Sequence, residues 1–486
     1  MEEKKTKTKT VVLYPGLAVS HFAPMLHLAD ALVDAGCAVT VAHNDATLNQ
    51  DAAAVDRAAS SNPSVTFHTL PTIPDPPAIT YDARFLLTYF DLVHRYTHPL
   101  RDFLYSLITP PGCGGVHALV VDMLSVDALH AAAELGVPAY AFFPSNASAL
   151  ATSIQVSKVG EEEGRPKKNF FGEMGDAPLD LRGVPRVPAS HLFSELLESP
   201  ESEIYGSVAS MLRRIHQEAD GILVNSFESL EPRAVGALGG DVATAPVYCV
   251  GPLVAGASLE TEKRHECLAW LDEQPDRGVV FLCFGGAGHH SGKQMKEVAV
   301  GLEDSGHRFL WAVRTPLPDD DADQAFDPRA EPDLDALLPD GFLERTRGRG
   351  LVVVKTWAPQ VEVLHHRATG AFVTHCGWNS VLEAIVAGVP MLCWPLYAEQ
   401  KMNKVFLVEE YGVGVEMVGW RDGMVKAQEV EAKVRMAMEE SEQGNRIRAR
   451  VAEHRDAAAV AWEEGGSSRA AFGRFLLDSS FARSSI

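Results

Sequence analysis

A strand, turn, helix and strand pattern that occurs twice narrows the possible folds more than any other feature of this chain. TVVLYPGLAVS ends an apolar run in a Pro/Gly turn; FAPMLHLADALVDAG then spaces Met25, Leu28, Leu32 and Val33 along one helix face, stops at Gly36 and leads into CAVTVAH. GVVFLCFGGAG, QMKEVAVGLEDSG and HRFLWAV repeat that order, and the endings DAGCAVTV and DSGHRFLW align. Short apolar runs alternating with longer amphipathic ones suit parallel strands joined by crossover helices, because such strands are covered on both faces. The pattern predicts an α/β protein with two doubly wound domains.

A length of 486 residues exceeds what one core usually serves, which agrees with two domains. Residues 1–250 are expected to form the first and 263–464 the second. The Gly/Ala/Ser and charged stretch 251–262 reads as the linker between them. A net charge of −22, with no Lys/Arg-rich face, excludes a nucleic-acid binder but allows an anionic small ligand held by helix ends. Seven scattered cysteines without a CxxC pair exclude a disulfide framework or a zinc site. The amino terminus MEEKKTKTKT does not resemble a signal peptide, and no apolar window reaches the ~18 residues of a membrane span. The expectation is a cytoplasmic monomer without membrane partners, in which the Asn146-Ala147-Ser148 sequon occurs by chance. Asp319-Asp320-Asp321-Ala322-Asp323 lies in an acidic, Pro-rich stretch with no buried strand before it, and reads as a solvated loop rather than a metal site.

Residues 371–390, AFVTHCGWNSVLEAIVAGVP, place a strand directly before a helix whose Val381, Leu382 and Ile385 face inward and which Gly388 and Pro390 end. A helix start carries unpaired N–H groups and partial positive charge, so it attracts phosphate, and His375, Asn379 and Ser380 add donors there. Taken alone, the same residues suit a capped helix with a core histidine equally well.

The wider segment Trp357–Gln400, WAPQVEVLHHRATGAFVTHCGWNSVLEAIVAGVPMLCWPLYAEQ, closely resembles the donor-binding signature of plant family-one UDP-sugar glycosyltransferases. SFESLEP near 226 and GGSSRAAF near the carboxy terminus extend the resemblance over nearly the whole chain. It implies two Rossmann-like domains facing across a cleft (GT-B type), the first binding the acceptor and the second the UDP-sugar, with residues 465–486 returning as a helix to the first. Trp357 would stack on uracil and the Ala358 backbone would bond its edge. Gln360 and Glu383 would hold the ribose hydroxyls, His375, Asn379 and Ser380 the diphosphate, and Trp378, Glu399 and Gln400 the sugar. A terminal Gln in this family goes with glucose. No metal or other cofactor is implied; UDP-glucose is a co-substrate.

By the same resemblance His21, in YPGLAVSHFAPM, is the catalytic base, and Asp122, at the end of the apolar run ALVVD, is its partner carboxylate. An imidazole can take the proton of a hydroxyl near neutral pH, and a carboxylate can orient it and stabilise imidazolium. Asp127, a few residues on, is expected to face solvent or a neighbouring charge. Phe85, Phe90, Phe142 and Phe143 fall where the family lines its acceptor pocket, and they suit a flat aromatic guest of flavonoid or phenol type. The chain departs from the family in three places: Gly286 stands where Ser is common in the loop Gly285-Gly286, Pro144 where Thr is common, and Ser20 where Gly is common.

The expected activity is an inverting transfer of glucose from UDP-glucose to a hydroxyl of a small aromatic metabolite. A non-catalytic UDP-sugar or phenol-binding protein of the same fold is the alternative, against which intact His21 and Asp122 count. A nicotinamide-dependent oxidoreductase would need GxGxxG, which GGAG at 285–288 does not supply.

Overall fold

The computed structural model describes residues 9–16, 19–44, 52–77, 79, 84–109, 115–159, 170–256, 265–317, 331–354 and 358–481. Trp357, the acidic run 319–323 and residues 257–262 of the expected linker lie outside them. The chain divides into two units, Met1–Val254 with Val460–Ile486, and Ala255–Ala459.

In the first unit, β1 (Thr10–Tyr14), β2 (Ala38–His43), β3 (Val65–Thr69), β4 (Val116–Asp122) and β5 (Ala139–Phe143) precede a short antiparallel pair, β6 (Pro178–Leu179) with β7 (Val187–Pro188). β8 (Gly221–Val224) and β9 (Val247–Cys249) follow. The main sheet is parallel in the order β3-β2-β1-β4-β5-β8-β9. Val11, Val12 and Leu13 are buried because helices cover both faces of β1. Helix Val19–Asp34 turns Met25, Leu28 and Leu32 into that core, with Val33 packed at its margin. It starts three residues earlier than the apolar spacing suggests, which brings His21 into its first turn.

Two local devices complete this unit. Glu231, from SFESLEP, is fully buried and accepts the N–H groups of Ala147 and Ser148 at 2.9 and 2.8 Å, filling the orphan donors at the start of helix Ala147–Val159. Asn146 Oδ1 accepts the Ala149 N–H at 2.6 Å in the same helix start; its side chain is buried, which makes the sequon a capping device. Helix Ser467–Phe481 packs on the same sheet, with Phe475 edge-on to Tyr140 at 4.8 Å and fully buried, a contribution of about 1.5–3 kcal/mol.

The second unit repeats the plan with β10 (Val279–Cys283), β11 (Arg308–Ala312), β12 (Gly350–Val353), β13 (Thr369–Thr374), β14 (Met391–Cys393) and β15 (Gly414–Glu416). They form a parallel sheet in the order β12-β11-β10-β13-β14-β15. The aligned glycines Gly36 and Gly306 both adopt the left-handed conformation, φ +81° and +73°, that lets the chain leave a helix for a strand. In each sheet the strand order reverses once, between β1 and β4 and between β10 and β13. Open α/β sheets bind ligands at the carboxyl ends of strands at such a reversal. His21 follows β1 and Asp122 ends β4; Gly285 follows β10 and His375 follows β13.

Candidate active site

At the first reversal, Nδ1 of His21 lies 2.9 Å from Oδ2 of Asp122. Asp122 is 1% exposed and the His21 side chain 22%. The other carboxylate oxygen accepts the Leu124 N–H at 2.9 Å, capping the short 3-10 turn Met123–Ala128. A carboxylate held in this way keeps the proton on Nδ1, which leaves Nε2 as the basic nitrogen. Asp127 pairs instead with Arg214 and His94, a surface role.

A cavity of about 190 Å³ opens between helix Phe85–Ile108, the Met123–Ala128 turn and helix Glu203–Gln217. Phe90, Val93, Leu124, Val126 and Met211 supply apolar walls, and Asp127 with Arg214 forms a polar edge. Phe85 and Phe90 flank Tyr89, with ring centroids at 6.0 and 6.3 Å. Phe142 and Phe143 lie elsewhere. Both sit on β5, at 0% and 1% exposure, and Phe142 packs with Leu13, Val120 and Leu223. This corrects the acceptor expectation for Phe142: a parallel strand covered on both faces turns its side chains into the core.

At the second reversal, helix Trp378–Ala387 is capped by Gly377, with no side-chain cap, so Asn379 and Ser380 occupy its first turn rather than cap it. Val381, Leu382 and Ile385 are fully buried, and Gly388 ends the helix at φ +73°. The reason for glycine at the cap is steric: a Cβ on Gly377 would lie 2.5 Å from His375 Nε2, and one on Gly285, itself at φ +73°, 2.7 Å from the same atom. The imidazole is thus held between two bare backbones. Burial and then the nearby Arg314 push His375 down to about 4, so it is neutral at pH 7 and able to donate one N–H. Its Nδ1 is buried with no hydrogen-bond partner among the described residues.

Arg314 is the residue the sequence reading missed. Its Nε donates to the Gly285 carbonyl at 2.7 Å, which fixes a cation beside the Gly285-Gly286 loop. An arginine just past an apolar strand, as in HRFLWAVR, was the available signal.

The Gln360 amide donates to Ser380 Oγ at 2.9 Å and to Glu383 Oε2 at 2.6 Å, bringing three of the expected donor residues together. Burial pushes Glu383 up to about 7, against the Gln360 hydrogen bond that lowers it. Ala358 is buried just before them. Gln400 Oε1 accepts the N–H groups of Leu396 and Tyr397, both at 2.9 Å, and so holds its own turn. Glu399 precedes helix Gln400–Val405, while Asn403 takes the Cys376 carbonyl at 2.9 Å and steadies the β13 turn. Trp378, expected at the sugar, buries its indole at 3% exposure, 6.5 Å from the Tyr411 ring; what it offers at the helix start is its backbone N–H. Gly286 is exposed, with open space where a side chain would stand.

The UDPGT family profile, "UDP-glucoronosyl and UDP-glucosyl transferase", matches residues 245–445. An anthocyanidin 5,3-O-glucosyltransferase of a Rosa hybrid cultivar is 38% identical, over 96% of this chain and 97% of its own. The chain belongs to the plant UDP-sugar glycosyltransferase family. Among solved structures, this glycosyltransferase resembles a UDP-glucosyltransferase from Polygonum tinctorium capable of glucosylating indoxyl, with TM-score 0.85 and 35% identity over 97% of this chain and 98% of the other. It also resembles UGT2 of Phytolacca americana complexed with UDP-2fluoro-glucose and pterostilbene, with TM-score 0.83 and 32% identity over 97% and 100%. The glycosyltransferase therefore has the GT-B fold class expected from its sequence, with two parallel-sheet α/β domains.

Proposed function

We propose that this glycosyltransferase transfers glucose from UDP-glucose, with inversion, to a hydroxyl of a small aromatic acceptor of flavonoid or phenol type. The observation that carries the proposal is the His21–Asp122 pair at the strand reversal of the first sheet. Support for the acceptor class comes from the Rosa relative's name and from pterostilbene in the Phytolacca complex.

His21 Nε2 takes the acceptor proton, and the oxygen attacks the anomeric carbon from the face opposite UDP, so an α-linked donor yields a β-glucoside. Asp122 keeps the imidazole in the right tautomer and stabilises imidazolium as charge develops. In the second unit, Gln360 and Glu383 hold the ribose, while the Ala358 backbone, beside Trp357, bonds the uracil edge. The neutral His375, Ser380, Asn379 and the helix start at Trp378 meet the diphosphate. Their N–H and O–H donors are held in place before UDP leaves, so they stabilise its growing charge without reorganising. Glu399 and Gln400 face the sugar. Mixing the protein with UDP-glucose and a panel of phenols tests the reading: a gain of one hexose on a phenol is expected, and binding without any such product would leave a non-catalytic binder.

A further inference from the structure

We propose that Tyr89 is a positioning residue for the transfer, acting through a brace of Tyr89, Ser125 and Gly16 that sets His21 against Asp122. The proposal rests on the reading of His21 as the base. Tyr89 lies on helix Phe85–Ile108 with no exposed surface, and its hydroxyl is 3.1 Å from Ser125 Oγ, also fully buried. Ser125 belongs to the turn that Asp122 caps, and the backbone of that turn departs from helical geometry at Ser125, φ −105° and ψ 28°.

The same two hydroxyls press on Gly16. A Cβ there would collide with the Tyr89 hydroxyl and lie 2.9 Å from Ser125 Oγ, and Gly16 itself sits at φ +69°. Gly16 is in the turn between β1 and the helix whose first turn holds His21. One hydrogen-bonded pair therefore touches both segments that carry the pair: the β1 turn through the bare Gly16 backbone, and the β4 turn through Ser125. A 2.9 Å bond between His21 and Asp122 tolerates little relative movement of those segments, and misplacement by ~1 Å can cost ~100-fold in rate. Tyr89 also stands between Phe85 and Phe90, two of the residues expected at the acceptor.

The test compares two acceptors at about pH 8: a phenol that keeps its proton and a nitrophenol already ionised, which needs no base. Tyr89→Phe is expected to lower kcat on the protonated phenol by roughly 10-fold, to change it less than about 2-fold on the ionised one, and to leave KM for UDP-glucose unchanged. Ser125→Ala is expected to show the same split. His21→Ala serves as the control and should show a larger split. If His21→Ala shows the split while Tyr89→Phe and Ser125→Ala slow both acceptors equally or neither, the brace is refuted and the base stands. If His21→Ala itself lacks the split, the base assignment fails, and this proposal with it.

Discussion

Glu383 accepts a 2.6 Å hydrogen bond from Gln360 at a site whose burial pushes its carboxyl from an ordinary 4.5 up to about 7. The folded state then holds a proton that the unfolded chain releases at lower pH. Stability falls as pH rises from about 4.5 to about 7, and the whole penalty is present above that window.

Glu383→Gln removes that penalty. Thermal unfolding without ligand should show the variant more stable at about pH 8 by several °C, with the gap closing at about pH 4.5. An equal gap at both pH values would separate Glu383 from the effect. UDP should bind the variant more weakly, because an amide supplies one acceptor oxygen where the carboxylate supplies two.

Replacing the base is the sharper probe of chemistry. His21→Ala should lose on the order of 100-fold or more in turnover with an ordinary hydroxyl, with UDP binding nearly intact. Asp122→Asn can keep the Leu124 contact through its oxygen but turns an NH2 group toward Nδ1, which favours the tautomer with its proton on Nε2. Its turnover should fall comparably, and full activity in either variant would remove the pair from the mechanism.

Gly286→Ser places a hydroxyl in open space on backbone that imposes no left-handed strain. If the loop faces the donor phosphates, one added hydrogen bond of ~0.5–1.5 kcal/mol should tighten UDP-glucose roughly 3- to 10-fold. Acceptor affinity should stay the same. A titration showing equal or weaker donor binding would place the loop elsewhere.

Gln400 carries two roles that substitution can separate. Gln400→Ala removes the acceptor for two backbone N–H groups and should cost about 1–3 kcal/mol of stability. Gln400→Glu keeps that acceptor but loses the amide donor, so it should unfold near the parent temperature while transferring glucose more slowly and binding UDP unchanged. Equal damage to UDP binding and sugar transfer would assign Gln400 to the nucleotide.

Much of this protein was legible before any coordinates. The alternation of apolar runs identified parallel sheets, because burial on both faces leaves a compositional trace in every strand. The helix that begins within HCGWNS was readable from its inward face and from Gly388, since 3.6-residue periodicity and left-handed termini are local properties. The positions of His21 where a strand turns into a helix and of Asp122 at a strand end followed from local sequence, whereas their hydrogen bond did not.

Contacts between distant segments left no such trace. Phe142 and Phe90 look alike in sequence, but one lies on a strand covered on both faces and the other lines a cavity. Trp378 was expected at the sugar, and the Tyr411 ring instead marks where its indole is buried. Arg314 reaches the Gly285 loop only because β11 lies beside β10, and Tyr89 meets Gly16 and Ser125 only because β1 and β4 are neighbours in the sheet. The sequence by itself determined the strands, the helices, their ends and the family. Tertiary structure alone decided which side chains are core, which groups share a proton or a cation, and which glycines exist for a neighbour's sake. Periodicity and caps are written in residues close along the chain, whereas burial, electrostatics and steric fit depend on atoms that come together only when the sheets close.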